Sequence, residues 1–241
     1  MDFDAGDSIN TSRGGWNFQD IDSKGFENHV SKSVPNYYEG HEYIRFLSDY
    51  FIHNDSVIYD IGCSTGNLLS KLSTYHQDKQ NLKFIGIEPS LNFEDLFNKT
   101  TNQSEINHSF ELITTEVQDV VLEKSDMIIS YYTIQFIPPR YRQKIINNIY
   151  ESLNWGGSFF FFEKVRGNDA RFQDMLNLAY LEYKKTKGYS NNEIMNKMLS
   201  LKGRLEPYTS KENNLFLERA GFKDICTISR NLCFEGKLAI K

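Results

Sequence analysis

The most informative stretch of the sequence is a strand-like run that leads directly into a turn of small residues. Residues 57–61 read Val-Ile-Tyr-Asp-Ile, and residues 62–66 read Gly-Cys-Ser-Thr-Gly before leucines at helical spacing. A strand, a turn that lets the backbone approach a ligand, and a helix N-terminus bind nucleosides in doubly wound folds. Glu88 ends the next predicted strand, where a carboxylate accepts hydrogen bonds from both ribose hydroxyls. These residues predict a nucleoside site; a tight turn without a ligand is the alternative.

Two features of the turn distinguish between two possible ligands. A nicotinamide dinucleotide and S-adenosylmethionine fit the same spacing of turn and carboxylate. The turn has one glycine fewer than the dinucleotide fingerprint, with Ser64 at its centre, and therefore suits a pyrophosphate poorly. Asp60, just before the turn, supplies a negative charge for a cationic amine. We therefore predict S-adenosylmethionine, with Asp60 and the turn from Gly62 to Gly66 holding its methionine part; a nicotinamide dehydrogenase is the alternative.

The elements that must position these residues follow from the surrounding pattern. Strand-like apolar runs alternate with helical apolar spacing from residue 56 to residue 163. Such alternation is typical of a parallel sheet with helices on both faces. Two further strand-like segments, 224–230 and 233–241, are expected to return antiparallel. The predicted fold is therefore α/β, a doubly wound, seven-stranded and mostly parallel sheet.

The pattern becomes helical before the last two predicted strands. Helical spacing over 170–185 and 191–201 predicts a helical insertion, about 169–205, over the carboxyl-terminal edge of the sheet. Residues 1–15 are polar and contain glycine, which is typical of a flexible leader. The remaining residues, 16–241, are then expected to form a single domain.

Composition and charge exclude several classes of protein. The 241 residues contain 27 Lys and Arg against 32 Asp and Glu, a net charge of −5, so direct nucleic-acid binding is not expected. Lys184, Lys185 and Lys187 form a basic cluster, for which a solvated helix face is expected. No apolar run approaches the ~20 residues that span a bilayer. Three cysteines and five histidines are too scattered for a disulfide framework or a metal site, and we expect a cytoplasmic protein.

Motifs along most of the chain resemble one family in particular. Residues 60–66, Glu88 and residues 154–157 are similar to class I S-adenosylmethionine-dependent methyltransferases. Further motifs, from Trp16 onward, resemble the carboxy-S-adenosylmethionine synthases, which share that fold. These motifs are residues 33–37, 59–64, 133–136, 163–164, 187–190, 220–222 and 238–241.

The resemblance implies a function and a set of site residues. The family converts S-adenosylmethionine to its carboxy derivative with prephenate, a partner enzyme uses the product on tRNA wobble uridine, and members are typically homodimers. The positions that match its cofactor contacts are Tyr37, Gly62, Cys63, Ser64, Glu88, Pro89, Glu116 and Val117. Of these, Glu116 and Val117 are expected to flank the adenine.

Two positions depart from the family. Tyr131 stands where the family has an asparagine; with Tyr37 it is a candidate to close over the sulfonium, since aromatic faces attract cations, and an ordinary core tyrosine is the alternative. Met198 stands where the family has an arginine that grips the extra carboxylate, and methionine supplies no donor. Lys197 and Lys202 are near Met198 in sequence but lack a planar fork.

These departures lead to our predicted function. We expect an S-adenosylmethionine-dependent enzyme that transfers a methyl group to a small-molecule acceptor by in-line displacement. It would be a relative of the carboxy-S-adenosylmethionine synthases without their carboxylate anchor. One alternative is a working synthase that uses prephenate and holds the carboxylate with another cation such as Arg204. The other is a non-catalytic S-adenosylmethionine-binding protein.

Overall fold

The computed structural model describes residues 2–102 and 108–241, so Met1 of the predicted leader lies outside the described residues. The strands are β1 (Phe3–Asp4), β2 (Asn10–Thr11), β3 (Val57–Ile61), β4 (Lys83–Ile87), β5 (Ser109–Ile113), β6 (Ser125–Tyr131), β7 (Leu153–Lys164), β8 (Asp224–Asn231) and β9 (Phe234–Ile240). The helices are α1 (Ser23–Ser33), α2 (Tyr37–Ser48), α3 (Asn67–Tyr75), α4 (Glu94–Thr101), α5 (Pro139–Ser152), α6 (Ala170–Thr186), α7 (Asn191–Ser200) and α8 (Ser210–Ala220). Within this described part of the chain, no helix combines the length and apolar character needed to cross a bilayer.

The main sheet has the strand order β5-β4-β3-β6-β7-β9-β8. Strands β5, β4, β3, β6 and β7 are parallel, and β9 and β8 return antiparallel. The strand order reverses at β3, because β4 lies on one side of it and β6 on the other. In open α/β sheets, ligands bind outside the carboxyl ends of the strands at this switch point. The predicted doubly wound, seven-stranded fold is confirmed.

Four consecutive phenylalanines in β7 show that helices cover both faces of the sheet. Phe159 and Phe161 belong to the core that packs against α5 and α8, whereas Phe160 and Phe162 belong to the core that packs against α2 and α3. All four side chains are buried. Because alternate side chains of a strand point to opposite faces, a continuous apolar run is expected only where both faces are covered.

The predicted helical insertion lies between β7 and β8, where α6 and α7 pack over the carboxyl ends of the strands. The hydroxyl of Tyr180 in α6 donates a hydrogen bond of 2.8 Å to the carbonyl oxygen of Ser33. The Tyr180 ring also lies 5.3 Å from the ring of Phe234, at the start of β9. These contacts attach the insertion both to α1 and to the sheet.

The amino-terminal residues, for which the sequence predicts a flexible leader, contact helices that are distant in sequence. Strands β1 and β2 pair antiparallel, and the Asp7 carboxylate in the turn between them contacts Lys32 and His29 of α1, each at 2.7 Å. Further along, the backbone N–H of Gly14 donates to the carbonyl oxygen of Leu199 in α7 at 3.0 Å. This hairpin is held by partners that are distant in sequence, which a local reading of polar residues does not detect.

Candidate cofactor and substrate site

The turn after β3 has a backbone that requires glycine at its first position. Gly62 has a φ of +75°, and a Cβ atom there would lie 2.3 Å from Oγ1 of Thr133. Its N–H donates to the carbonyl oxygen of Ile87 at the end of β4, at 2.7 Å. Ser64 also lies in the left-handed region, with a φ of 45°. The turn is therefore folded tightly between β4 and the segment after β6, as a close backbone approach to a ligand requires.

Glu88 is held in place by backbone N–H groups on either side of it. The N–H of Ser90 donates to Oε1 at 2.9 Å, and the N–H of Ser64 donates to Oε2 at 3.2 Å. Burial raises the pKa of the carboxyl group, and these hydrogen bonds partly offset that effect. Each oxygen keeps a further lone pair, and Glu88 lines the cavity described below. The carboxylate is thus available to ribose hydroxyls, as the sequence predicts.

Asp60 is a buried carboxyl group that lacks a full set of partners. Its side chain is 2% exposed, and Oδ1 has no hydrogen-bond partner among the described residues. Burial, and secondarily the charge of Glu88, raise its pKa to about 7. A cationic amine would satisfy this oxygen and restore the ionised form, so the site fits the ammonium group of S-adenosylmethionine.

Glu27 is a second carboxylate near the turn, which sequence reasoning missed. It lies on α1 and accepts a hydrogen bond of 2.9 Å from Oγ1 of Thr65, and another from the side chain of Asn67. Glu27 and Asp60 line the same small pocket beside the turn. The signal in the sequence is weak, because α1 lies in a segment with an irregular apolar pattern.

A cavity of about 620 Å³ lies at the carboxyl ends of the strands. The predicted site residues that line it are Tyr37, Gly62, Ser64, Glu88, Pro89, Glu116, Val117 and Tyr131. Asp60 and Cys63 line the small pocket beside the turn, to which Tyr37, Gly62, Ser64 and Tyr131 also contribute. Gly66 lines neither: it is the N-cap of α3, and a Cβ atom there would lie 2.7 Å from the Phe97 ring. The structure therefore brings the predicted residues together, apart from Gly66.

The two predicted tyrosines form an aromatic wall between the cavity and the small pocket. The rings of Tyr37 and Tyr131 lie 5.2 Å apart, and His41 lies 4.7 Å from Tyr131. The Tyr131 hydroxyl donates to the carbonyl oxygen of Tyr37, beside Gly40, where a Cβ atom would overlap it. Burial raises the pKa of Tyr131 well above its usual value. The hydroxyl therefore stays protonated at neutral pH and is not available as a base. The rings remain suited to a sulfonium cation.

Lysines also line the cavity, which corrects one expectation. Lys184, expected on a solvated helix face, is 4% exposed and lines the cavity together with Lys164 and Lys197. Lys185, beside it in sequence, is exposed. Lys184 is the one buried residue of α6, and its helical spacing of four from the half-buried Tyr180 is the signal that could have found it.

Met198 and Arg204, the positions in question for a carboxylate anchor, both line the cavity. Met198 is 51% exposed. The guanidinium of Arg204 donates from Nε to the carbonyl oxygen of Gly14 at 2.9 Å. Arg204 is therefore near the cavity but engaged with the amino-terminal segment.

Comparisons with known proteins define the class to which this fold and site belong. Residues 59–159 match the family described as "Methyltransferase domain". The S-adenosylmethionine-dependent methyltransferase SibL superposes with a TM-score of 0.60 at 11% identity, over 89% of this chain and 55% of that one. A putative O-methyltransferase from Nostoc punctiforme gives a TM-score of 0.62 at 11% identity, over 91% and 59% of the two chains. The protein has the class I fold of S-adenosylmethionine-dependent methyltransferases.

Curated relatives define the family within that class. A carboxy-S-adenosyl-L-methionine synthase of Staphylococcus epidermidis is 37% identical over 90% of this chain and 92% of its own length. The synthase of Campylobacter lari is 32% identical over 90% of each chain. This chain belongs to the carboxy-S-adenosyl-L-methionine synthase family. The predictions of a transferase and of S-adenosylmethionine as its cofactor are thereby confirmed, whereas the roles of individual residues stay predictions.

Proposed function

We propose that this protein transfers the methyl group of S-adenosylmethionine to a small-molecule acceptor. The observation that carries the proposal is the unpartnered oxygen of Asp60, buried beside a glycine turn and an aromatic wall. An ammonium group on Asp60 and a ribose on Glu88 orient the nucleoside along the carboxyl ends of β3 and β4. This arrangement directs the sulfonium toward Tyr37 and Tyr131. The remaining space, toward the lysines, is then left for the acceptor.

The residues of the chain contribute mainly by binding and alignment. Asp60 and Glu27 would hold the amine, and Glu116 and Val117 would flank the adenine. The bound S-adenosylmethionine supplies the methyl group. Transfer by in-line displacement depends on how closely the acceptor is aligned with that group, so positioning accounts for most of the catalysis.

Met198 favours methyl transfer over synthesis of the carboxy derivative. A bidentate arginine–carboxylate pair is among the stronger hydrogen-bonded contacts in proteins, and Met198 offers no donor. We predict that Met198→Arg raises affinity for carboxy-S-adenosylmethionine roughly tenfold relative to S-adenosylmethionine. Isothermal titration of both ligands measures this ratio, with Met198→Leu as the uncharged control. An unchanged ratio in Met198→Arg would argue against a lost anchor.

A second candidate function is synthesis of carboxy-S-adenosylmethionine, the activity in the names of the curated relatives. Two observations favour it: the identity of 37% to the Staphylococcus epidermidis synthase, and the presence of other cations, Arg204 and the lysines, in the cavity. In this case one of those cations would replace the arginine. The product would then serve a partner enzyme in tRNA wobble uridine modification, without direct nucleic-acid binding by this chain.

Mass spectrometry of the small molecule released on denaturing the purified protein distinguishes the two candidates. S-adenosylmethionine or S-adenosylhomocysteine supports methyl transfer, and turnover across a panel of acceptors then tests it. Carboxy-S-adenosylmethionine, or consumption of S-adenosylmethionine that depends on prephenate, supports the synthase. Tight cofactor binding without turnover in either assay would indicate a non-catalytic binding protein and overturn both.

We also propose a cellular compartment, from the free thiols, and an oligomeric state, from the family. Cys63, Cys226 and Cys233 are free thiols, as is usual in a reducing compartment such as the cytoplasm. Members of the family are typically homodimers, and we propose that this protein is a homodimer as well.

A further inference from the structure

The amino-terminal segment 12–21, which we call the strap, is attached on two sides of the cavity. On one side, the backbone N–H of Trp16 donates to the carbonyl oxygen of Ser200, in α7, at 3.2 Å. On the other side, the side chain of Asn92, which follows β4, donates to the carbonyl oxygen of Phe18 at 3.0 Å. The strap thereby connects the helical insertion to the carboxyl end of the sheet.

Side chains of the strap form part of the cavity wall. Residues 16–19 all line the cavity. Trp16 is 5% exposed, and its ring stacks on the ring of His29, with 5.7 Å between the ring centres. The ring of Phe18 lies 4.9 Å from that of Phe136, which follows β6. A ligand in the cavity is therefore covered by the strap on this side.

Hydrogen bonds to α7 and to an arginine hold the backbone of the strap, which is not a strand of the main sheet. The N–H of Gly14 donates to the carbonyl oxygen of Leu199 at 3.0 Å, and Nε of Arg204 donates to the carbonyl oxygen of Gly14 at 2.9 Å. Segments with few backbone hydrogen bonds to the rest of a fold open at a lower free energy than the strands of its core. The strap is therefore suited to open while the sheet stays folded.

Asp7, in the hairpin that precedes the strap, attaches this end of the chain through a charge. Its carboxylate contacts His29 and Lys32 of α1, each at 2.7 Å, and it accepts a hydrogen bond from the hydroxyl of Tyr189, between α6 and α7. The hydrogen bond with His29 is the largest cause that holds the pKa of Asp7 well below its usual value, so the carboxylate is ionised at neutral pH. We call Asp7 and these three donors the latch.

The hairpin is short, so contacts with the rest of the fold must hold it. Its strands, β1 and β2, have two residues each, and a two-stranded hairpin is marginally stable in water by itself. Hydrogen bonds to a charged group contribute more than hydrogen bonds between neutral groups. Asp7 does not line the cavity, so the latch acts on the strap without touching a ligand.

We propose that the strap is a cover that opens for S-adenosylmethionine to enter and for the nucleoside product to leave, and that the latch sets how often it opens. This role goes beyond the proposed function and holds for either group that the enzyme transfers. Because Asp7 does not contact the ligand, weakening the latch opens the strap equally in the free and the bound protein. Association and dissociation then become faster by the same factor, and the affinity does not change.

Stopped-flow fluorescence with S-adenosylhomocysteine tests the proposal. The chain has two tryptophans, so a Trp155→Phe background leaves Trp16, in the strap, as the reporter. Asp7→Asn keeps the size of the side chain and removes its charge. In this background it is expected to raise the association and dissociation rate constants by roughly tenfold each, because charge-assisted hydrogen bonds are lost. The dissociation constant, measured by calorimetry, should not change.

A carboxylate far from the strap is the matched control. Asp49, at the end of α2, contacts Lys79 at 2.7 Å and His76 at 3.9 Å. It therefore has a lysine and a histidine as neighbours, as Asp7 does, but on another part of the surface. Asp49→Asn should leave both rate constants at their wild-type values.

A second variant, and a measurement without ligand, test the latch itself. Tyr189→Phe removes one donor but keeps the ring against Gly6, where a Cβ atom would lie 2.6 Å from it. It is expected to accelerate both steps by a smaller factor than Asp7→Asn. In the ligand-free protein, hydrogen exchange at Gly14 and Trp16 should be faster in both variants, whereas exchange in α3 should not change.

Several outcomes would overturn the proposal. Faster dissociation with unchanged association in Asp7→Asn would show that the hairpin supports the binding site and does not gate it. Faster hydrogen exchange in the strap with unchanged rate constants would show that the ligand uses another route. Unchanged hydrogen exchange would show that Asp7 does not hold the strap. A protein that binds no S-adenosylhomocysteine would overturn both proposals, whereas normal nucleoside exchange without methyl transfer would overturn only the proposed function.

Discussion

At the scale of single residues, Asp60 combines a cost in stability with a role in binding. Its pKa is about 7 in the folded protein and about 3.9 in an unfolded chain. Between these two pH values the folded state therefore binds more protons than the unfolded state. The stability of the ligand-free protein therefore falls as pH rises from about 4 to about 7. A bound ammonium group reverses this effect by favouring the ionised form.

We predict that Asp60→Asn stabilises the ligand-free protein at pH 8, by roughly 2–4 kcal/mol, and less at pH 5, by roughly 1 kcal/mol, because only part of the pH-dependent loss has then occurred. The same change should weaken S-adenosylmethionine binding roughly 10- to 100-fold, because a charge-assisted contact is lost. Denaturant unfolding and calorimetry measure the two quantities. Glu163→Gln is the control: burial raises the pKa of Glu163 to about 8, but Glu163 does not line the cavity, so only stability should change. Unaltered nucleoside affinity in Asp60→Asn would remove Asp60 from the site.

Gly62 allows a separate prediction, because the chain contains a matched glycine. Gly156 has a φ of +79°, close to that of Gly62, but a Cβ atom there would meet nothing within 4 Å. Gly156→Ala should lower the free energy of unfolding by about 1–2 kcal/mol, the cost of a left-handed residue, without affecting binding. Gly62→Ala adds the overlap with Thr133, so unfolding and titration should show a larger loss of stability and a loss of nucleoside binding. Equal losses in the two variants would show that the turn tolerates a side chain.

At the scale of elements, α7 and α8 both begin with a capping box, but only α7 lines the cavity. A capping box of Ser190 and Glu193 starts α7, and one of Thr209 and Glu212 starts α8. Helix α7 carries Lys197 and lines the cavity, whereas α8 packs against α5. Substitutions in the two caps therefore distinguish an effect on overall stability from an effect on the helix that lines the cavity.

We predict that Ser190→Ala and Thr209→Ala each cost about 1 kcal/mol of stability, the usual value of an N-cap. Only Ser190→Ala should increase hydrogen exchange in α7 and weaken S-adenosylmethionine binding in the cavity, by several-fold. Exchange mass spectrometry and isothermal titration with S-adenosylmethionine provide the comparison. If Thr209→Ala has the same effect on binding, the cavity responds to overall stability and not to α7.

At the scale of the whole molecule, an exposed apolar face of α6 leads to a prediction about the oligomeric state. Phe172, Met175 and Leu178 follow each other at helical spacing, and each is more than half exposed. Together with the resemblance to a family of homodimers, this unpaired face predicts that a second copy of the chain covers it. We expect twice the mass of 28.1 kDa in sedimentation at micromolar concentration, and a monomer for Leu178→Glu. Trp155→Ser, which changes another exposed apolar side chain, should leave the dimer intact; a monomeric wild-type protein would refute the prediction.

Much of the fold and the nucleoside end of the site could be predicted from local sequence. Strands β3, β4, β6 and β7 each contain an apolar run, and these runs alternate with helical patterns along the chain, which indicates a parallel sheet. Because parallel strands end at the same edge, Asp60, Glu88 and Val117 had to lie close together. Tyr37 was reached through resemblance, since α2 gives no local sign that it borders a cavity.

What the sequence determined by itself is therefore the sheet, its switch point and the residues that follow its strands, because these depend on periodicity and on turns of a few residues. The tertiary structure alone decided that residues 2–15 contact α1 and α7, and that Glu27 lines the same pocket as Asp60. It also decided that Lys184 is buried while Lys185 is exposed. These features depend on contacts between segments far apart in the chain, and the charge of a side chain does not reveal whether packing will remove it from water.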